Sequence, residues 1–502
     1  MKESLIDNVE KWKIETPTAI AIKSTEKFVT YSELYNYIVN AQKALNDIGL
    51  VRGDSVIYAG SKNKNLIILH LALFGLGISV LTVKGSVQMD SLMHVVDQCS
   101  SKFIICDGNF EIINEETLTF YGKNEHIMVL RVNEKKITKI AEFQLDNKDF
   151  SRKITNVKGD KVYLNSTSGT TNIVKIVNVE EYKIIENARS INSIFPLEVE
   201  DSYLCLLPEY MHPHEIFCRP LVAGATIALL ETKSFYKLGL YLNKFGVTQI
   251  FGIPSQFLAL LEMPLTEMDF KTVKYLFAGG EKTSYYLKNE FYKRYNRKII
   301  PFWGSTETSG STFYDNSSAI NSVDGLIGRP FPGYDVKINE NSELCIKGKA
   351  CFEGYLHKDT SSNIDYLGYY NTQDRVCLDI DGRYKFLGRK DQVFKVNGLR
   401  VSLEDVNAYL AKCTVIKQFF VCVPEDNRGH NLIFIYIVPT ESTKIPCIKE
   451  YVRRYFSSNI KYRISFIDKT PLTDFGKMDL AKLEDQANKE VKTIWVLTKR
   501  YQ

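Results

Sequence analysis

At 502 residues the chain exceeds one compact core, and a prior of roughly 100–200 residues per domain predicts a large body with an appendage. Its 25% charged and 44% hydrophobic residues exclude a disordered chain. A net charge of +5 over 64 basic and 59 acidic residues, dispersed and not gathered into runs, argues against nucleic acid as a partner.

The N-terminal residues MKESLIDNVEKWKIE lack the uninterrupted apolar core of a signal peptide, so secretion is not expected. The pattern YSELYNYIVNAQKALNDIG at 31–49 predicts a helix, and short apolar runs at 54–60 and 102–108 predict strands. Between them, LIILHLALFGLGISVLTV at 66–83 is long and apolar enough for a membrane span, but His70, Gly75 and Gly77 interrupt it. A buried helix ending near Gly77, followed by a strand, accounts for the same residues with no membrane span. The ten cysteines form no C-x-x-C pair and sit mostly in apolar runs, as Cys205 does in YLCLLP and Cys422 in FFVCV. Reduced core thiols in a cytoplasmic protein are expected.

Residues 162–179, VYLNSTSGTTNIVKIVNV, set a loop of hydroxyl and small residues between two β-like runs. Its N–H and hydroxyl donors suit triphosphate oxygens, and Lys175 adds positive charge. A Walker loop would run from its lysine into a helix, whereas Lys175 is followed by Ile176 in an apolar run. Standing alone, the stretch would be read as a polar hairpin turn. After Asp201, helix and strand alternate again through YLCLLP, ATIALL, TQIFGIP and VKYLFAGG, the signature of parallel sheets flanked by helices. Several of these strands run into Gly or Pro, where open α/β sheets place ligands. From about Gly325 the chain turns to short strands, with a hairpin turn at Asp381-Gly382. Beyond Arg389-Lys390-Asp391 a mixed pattern predicts a helix at 404–412, the strands QFFVCVPE and LIFIYIV, and a basic helix at 449–456.

The fold class expected is therefore α/β. A large N-terminal domain, 1–390, holds parallel-type α/β subdomains at about 1–190 and 191–320 and a β-rich part at about 325–390. A small α+β domain, 391–502, follows.

The loop at 162–179 is joined in order by FAGGEKTS (277–284), FWGSTETSG (302–310), YYNTQD (369–374), GRKDQVFKVNGLRVSLED (388–405) and PLTDFGKMD (471–479). Together these six stretches, spread over nearly the whole chain, resemble the adenylate-forming (ANL) superfamily of acyl-CoA synthetases, aryl-acid ligases and nonribosomal peptide synthetase adenylation domains. The resemblance implies that Thr167, Ser168, Gly169, Thr170, Thr171 and Lys175 hold the β- and γ-phosphates of ATP. It implies that Gly280 and Glu281 border the adenine and acyl pocket, with Ala278 and Gly279 beside them, that Trp303 stacks on adenine and that Thr306 contacts the α-phosphate. Glu307 would hold Mg²⁺, Asp374 the ribose hydroxyls, Arg389 would lie beside that ribose, and Lys477 would be the catalytic lysine. Asp391 takes the place of the hinge about which a mobile C-terminal domain swings, and Lys395, Gly398 and Arg400 belong to the loop that lines the thiol entrance.

Those roles make physical sense. A carboxylate attacking a tetra-anionic nucleotide needs its charge neutralised, which Mg²⁺ at Glu307 and the point charge of Lys477 supply. A mixed anhydride must also be kept from water and then admit a second nucleophile, which a moving domain achieves. Isolated, DFGKMD would read as a surface turn with a solvated lysine, Asp374 as an exposed acid in a turn, and Arg389 as the partner of a surface carboxylate such as Asp391.

The chain departs from the family's usual TSGTTGxPKG at Asn172, Val174 and Ile176, and Gln373 replaces the glycine of TGD. The resemblance places acid recognition in 206–225, where His212 or His214 is the candidate gating residue. Amino-acid-activating members usually place an aspartate there; none occurs here, and Glu209 is the acid able to substitute. The expected function is ATP-dependent activation of a fatty, aryl or other small carboxylic acid, then transfer to CoA or to the phosphopantetheine of a separate acyl or peptidyl carrier protein. About two dozen residues follow Lys477, too few for a fused carrier domain. The alternatives are a stand-alone amino acid adenylation enzyme and a nucleotide-binding pseudoenzyme with a regulatory role.

Overall fold

A computed structural model describes residues 2–84, 89–107, 110–112, 118–120, 126–133, 136–144, 154–166, 175–230, 237–281, 283–317, 325–356, 363–389, 393–396, 399–424, 432–456, 462–471 and 478–499. Two large sheets carry it. The seven-stranded sheet runs, edge to edge, through Ile176–Glu180, Lys161–Ser166, Ser79–Lys84, Ser55–Gly60, Phe103–Asp107, His126–Asn133 and Lys136–Gln144. Its inner pairs are parallel, and antiparallel strands close both edges.

The thirteen-stranded sheet contains a parallel run of Ile299–Ser305, Tyr275–Ala278, Gln249–Gly252, Ser202–Cys205, Thr226–Ala228 and Ile20–Lys23. The hairpin partner Phe28–Thr30 ends it on one side. On the other, Gly310–Tyr314 and Leu326–Pro330 lead without a break into Tyr384–Arg389, Tyr370–Leu378, Glu343–Gly348 and Tyr334–Ile338, all antiparallel.

Local chemistry explains the elements that matter most here. The helix Tyr31–Asp47 opens on a capping box, in which Thr30 accepts from Glu33 N–H and the Glu33 carboxylate accepts from Thr30 N–H. The apolar stretch at 66–83 splits into the helix Lys64–Gly75, capped by the Asn63 side chain, and the strand Ser79–Lys84, with Gly77 at φ +71° between them. That helix is apolar on every face and is buried from Asn65 to Gly75, as a helix inside a large domain must be. Each fully buried Leu or Ile contributes roughly 1.5–3 kcal/mol. His70 is a satisfied core residue, bonding the Leu66 carbonyl at 2.7 Å and the Thr82 hydroxyl at 2.9 Å, and burial pushes its pKa down to about 4. Among the described residues no helix is long and apolar enough to cross a membrane.

Residues 403–499 bury apolar clusters of their own. A sheet of Ile416–Cys422, Ile433–Pro439 and Tyr462–Phe466 packs with the helices Leu403–Leu410, Ile445–Tyr455 and Leu480–Lys499. The basic helix begins earlier than 449 because Pro446 suits its first turn, and Arg453 and Arg454 sit at the end where the helix dipole favours cations.

Candidate active site

Strands Lys161–Ser166 and Ile176–Glu180 pair antiparallel, with Ser166 opposite Ile176. Thr167, Ser168, Gly169, Thr170 and Thr171 fall between them, outside the described residues, as do Asn172 and Val174. Lys175 emerges at the near end with its Nζ 5.0 Å from the centre of the Tyr355 ring. Tyr355 bridges Val177, and the next N–H, of Leu356, donates to the Ile176 carbonyl at 2.8 Å. Its hydroxyl donates to Glu307 Oε1 at 2.8 Å. One tyrosine thus ties the lysine expected at the phosphates to the carboxylate expected to hold a metal.

Glu307 sits in the single turn Thr306–Thr308 that follows Ile299–Ser305, and it is buried at 8% exposure. Thr308 Oγ1 accepts from Ser305 N–H at 3.1 Å, while the Glu307 and Thr308 carbonyls accept from Phe352 N–H at 2.8 Å and the Tyr334 hydroxyl at 2.9 Å. Gly304 has to be glycine, since a Cβ would fall 2.1 Å from the Gly310 carbonyl oxygen. Beside it, Trp303 meets Phe313 edge-on at 5.5 Å and stays partly exposed. Burial, with Glu307 and Tyr355 beside it, holds the Tyr370 phenol far above its ordinary pKa and therefore neutral.

Asp374 and Arg389 are direct partners on adjacent strands, and Asp374 is 6% exposed. The preceding residue, Gln373, which stands where a TGD pattern would have its glycine, lies at φ +62°, a left-handed conformation that suits glycine. Its N–H donates to Asn371 Oδ1 at 2.8 Å, which props the turn.

A cleft enclosing about 440 Å³, measured out to its open mouth, is lined by Leu207, Met211, His212, Glu215, Phe251, Ile253, Gly279, Gly280, Phe302, Gly304, Ser305, Gly310 and Ser311. Of the residues expected at the acid pocket, His212 and Gly279 line it, whereas Ala278 is fully buried in a neighbouring core and His214 points to Tyr163. The His212 Nδ1 accepts from the Asn165 side-chain amide at 2.6 Å, so in the neutral ring Nε2 carries the proton. His214 Nδ1 bonds the Tyr163 hydroxyl at 2.7 Å, and burial drives its pKa down to about 3. Its 3.7 Å approach to Glu215 is therefore not an ion pair near neutrality. Burial pushes Glu215 up to about 7, against the charge of Arg219.

Gly280, at φ +82°, borders the same cleft, but Glu281 turns aside to accept from Ser255 N–H at 3.1 Å at the start of Pro254–Leu261. The segment carrying Leu207 is held by Lys62, which donates to the Leu207 carbonyl at 2.9 Å and to that of Cys205. Tyr355 and Lys62 carry no motif signal in the sequence, and Asn165 and Glu215, although they lie within 162–179 and 206–225, carry none of their own there.

On the C-terminal side, Lys395 and Arg400 are partners in the hairpin of Val393–Val396 and Leu399–Ser402, while Asp391, Gly398 and Lys477 lie outside the described residues. The Asp479 N–H donates to the Pro471 carbonyl at 2.8 Å across the stretch containing Lys477. An ion pair between Lys417 and Glu262 links this part to the larger one.

The family model for AMP-binding enzyme matches residues 9–356. Tyrocidine synthase 3 of Brevibacillus parabrevis is 22% identical over 95% of this chain, and the chain spans only 8% of that protein's length. Zwittermicin A synthase ZmaJ of Bacillus cereus is 23% identical over 94% of this chain and 92% of its own. Among solved structures, the anthranilate CoA ligase AuaEII in complex with anthranoyl-AMP superposes with a TM-score of 0.80 at 16% identity, over 98% of both chains. ATP-bound MatB from Rhodopseudomonas palustris gives 0.78 at 17% identity, over 97% of this chain and 99% of that one. At such identities the likeness is one of fold.

Proposed function

Because the chain belongs to the AMP-binding enzyme family, we propose that it uses ATP to convert a carboxylic acid into an acyl-adenylate, then passes the acyl group to the thiol of CoA or of a separate carrier protein. The observation that carries this reading is the Lys175–Tyr355–Glu307 connection beside the acid cleft. It brings a cation suited to phosphate near a carboxylate suited to a metal, and Glu307 stands two residues beyond Ser305, which lines the cleft. The ATP-bound and acyl-AMP-bound relatives of the same fold support it.

In the first step a carboxylate oxygen of the acid attacks the α-phosphorus, and the bond to the β-phosphate oxygen breaks as pyrophosphate leaves. In the second, a thiolate attacks the acyl carbon and AMP departs. The residues of 167–171 with Lys175 would bind the β- and γ-phosphates, Thr306 the α-phosphate, and Trp303 the adenine face. The Asp374 carboxylate, on a residue whose backbone register partner is Arg389, would accept the ribose hydroxyls. Lys477 would balance charge between the attacking carboxylate and the α-phosphate.

Mg²⁺ is held in nucleotide sites by one or two carboxylates together with phosphate and water oxygens. Glu307 fits that demand, since Tyr355 occupies Oε1 with one hydrogen bond and leaves the carboxylate further acceptor capacity. When bound, the ion would neutralise phosphate charge as the α-phosphorus is attacked. We further propose that 391–502 pivots at Asp391 to withdraw Lys477 and present Lys395, Gly398 and Arg400 to the thiol. The separate apolar clusters of 403–499 support such independence.

ATP–pyrophosphate exchange over a panel of fatty, aryl and amino acids tests the proposal. Exchange with at least one class is expected. ATP binding without exchange for any acid would refute it and leave a nucleotide-binding regulator in its place.

A further inference from the structure

The acid cleft contains a carboxyl group that this chemistry does not use. Glu215 lies in the first turn of the helix His214–Ala223, is 5% exposed and lines the cleft. Among the described residues its side chain makes no hydrogen bond, and its polar approach is to neutral His214 at 3.7 Å. Arg219, one turn on, acts on Glu215 through its charge but makes no hydrogen bond to it: its Nε donates to Asn192 and its Nη2 to the Phe195 carbonyl and Gln249, each at 3.0 Å, while its buried Nη1 has no hydrogen-bond partner among the described residues. A Cβ at Gly310, another lining residue, would come within 2.9 Å of Glu215 Oε1, so the bare backbone there leaves the carboxyl its place. The cleft is otherwise rich in apolar side chains, among them Leu207, Met211, Phe251, Ile253 and Phe302.

A buried carboxyl without a donor is costly, and a ligand N–H removes that cost. We propose that Glu215 is a specificity-determining residue that accepts a hydrogen bond from an amino group of the substrate, so that the pocket takes an amino-substituted carboxylic acid. This assignment rests on the adenylation reading above. Glu209, the acid singled out from the sequence for an ammonium, does not line the cleft; it is half-buried, and the charges of Lys62 and Lys84 oppose the effect of desolvation on its pKa. The aliphatic ammonium and the aromatic amine share the N–H chemistry.

Matched acids separate the two: 2-aminobenzoate against benzoate, and phenylalanine against 3-phenylpropionate, each in ATP–pyrophosphate exchange. The wild-type protein should favour the amino member of at least one pair by tenfold or more in kcat/KM, because a buried polar group rejects a ligand that leaves it unpaired. The pair that discriminates identifies the kind of amine. Glu215→Met, similar in volume, should erase the preference while sparing or raising exchange with the acid lacking the amine. Glu215→Gln, which retains an acceptor, should keep part of the preference for the aromatic amine and lose it for the ammonium. Equal treatment of both pairs by the wild-type protein overturns the assignment with no variant needed, and so does an unchanged preference in a folded Glu215→Met. Absence of exchange with every acid while ATP binds overturns adenylation itself, and this assignment falls with it.

Discussion

Tyr355→Phe isolates one hydrogen bond in the candidate site. The substitution removes only the hydroxyl that donates to Glu307 Oε1 at 2.8 Å and leaves the ring beneath Lys175, 5.0 Å from its Nζ. Glu307 is 8% exposed, so water replaces that donor poorly. A hydrogen bond to a charged group contributes about 1.5–3 kcal/mol, and at 1.36 kcal/mol per tenfold a full loss in the transition state slows exchange about 10- to 150-fold. Exchange should be measured across a Mg²⁺ titration with Tyr355→Phe and Tyr355→Ala side by side. The Phe variant should need more Mg²⁺ for half-maximal exchange, and the Ala variant should lose up to a further ~1 kcal/mol from the partly exposed cation–π contact. Wild-type exchange at every Mg²⁺ concentration in the Phe variant would refute the link between Tyr355, Glu307 and catalysis.

Three other outcomes are expected. Gln373→Gly relieves about 1–2 kcal/mol of left-handed strain at φ +62° and gives back about 0.4–1 kcal/mol through the freer unfolded chain, so the urea midpoint should rise at constant m; a fall would show that the Gln373 side chain stabilises its turn. Glu181 accepts from Leu5 N–H at 2.7 Å and is pushed from 4.5 up to about 8, mainly by burial, with Asp7 raising it and Lys158 lowering it. Between those values the folded state holds a proton that the unfolded state releases, so stability falls as pH rises; Tm against pH should be shallower over that window in Glu181→Gln, and parallel curves would discount the group. Lys477→Ala should abolish adenylation yet spare thiol transfer from a preformed acyl-adenylate, while Asp391→Pro should do the reverse; equal loss of both steps in either variant would remove the pivot.

The elements legible in the sequence were those whose cause is local. A capping box marks the start of Tyr31–Asp47, and an unbroken apolar run bounded by Gly77 marks the buried helix and the strand after it. Pairing across the chain was not legible. Ile20–Lys23 joins Thr226–Ala228 in the larger sheet although it precedes the strands of the smaller one, because strand order is decided by burial of whole faces and not by neighbouring residues. The hairpin of His126–Asn133 and Lys136–Gln144 went unread because Glu134 and Lys135, which fall between its strands, do not give the Asn-Gly or Asp-Gly signal of a hairpin. In the site, motif residues such as Glu307 and Asp374 stood out by resemblance, whereas Tyr355 and Glu215 did not. A tyrosine in an irregular stretch and an acid in a helix's first turn look like ordinary surface residues until packing buries them.

Tyr355 belongs by its backbone to the edge of the seven-stranded sheet and by its hydroxyl to a turn at the end of a strand in the thirteen-stranded one. A rigid aromatic ring with both ends anchored behaves as a spacer of set length. Any slide of one sheet over the other changes the gap between Lys175 and Glu307, and the ring resists that change. Lys175 and Glu307, the residues proposed for phosphate and metal, are therefore kept in step even though the chain builds them from separate layers.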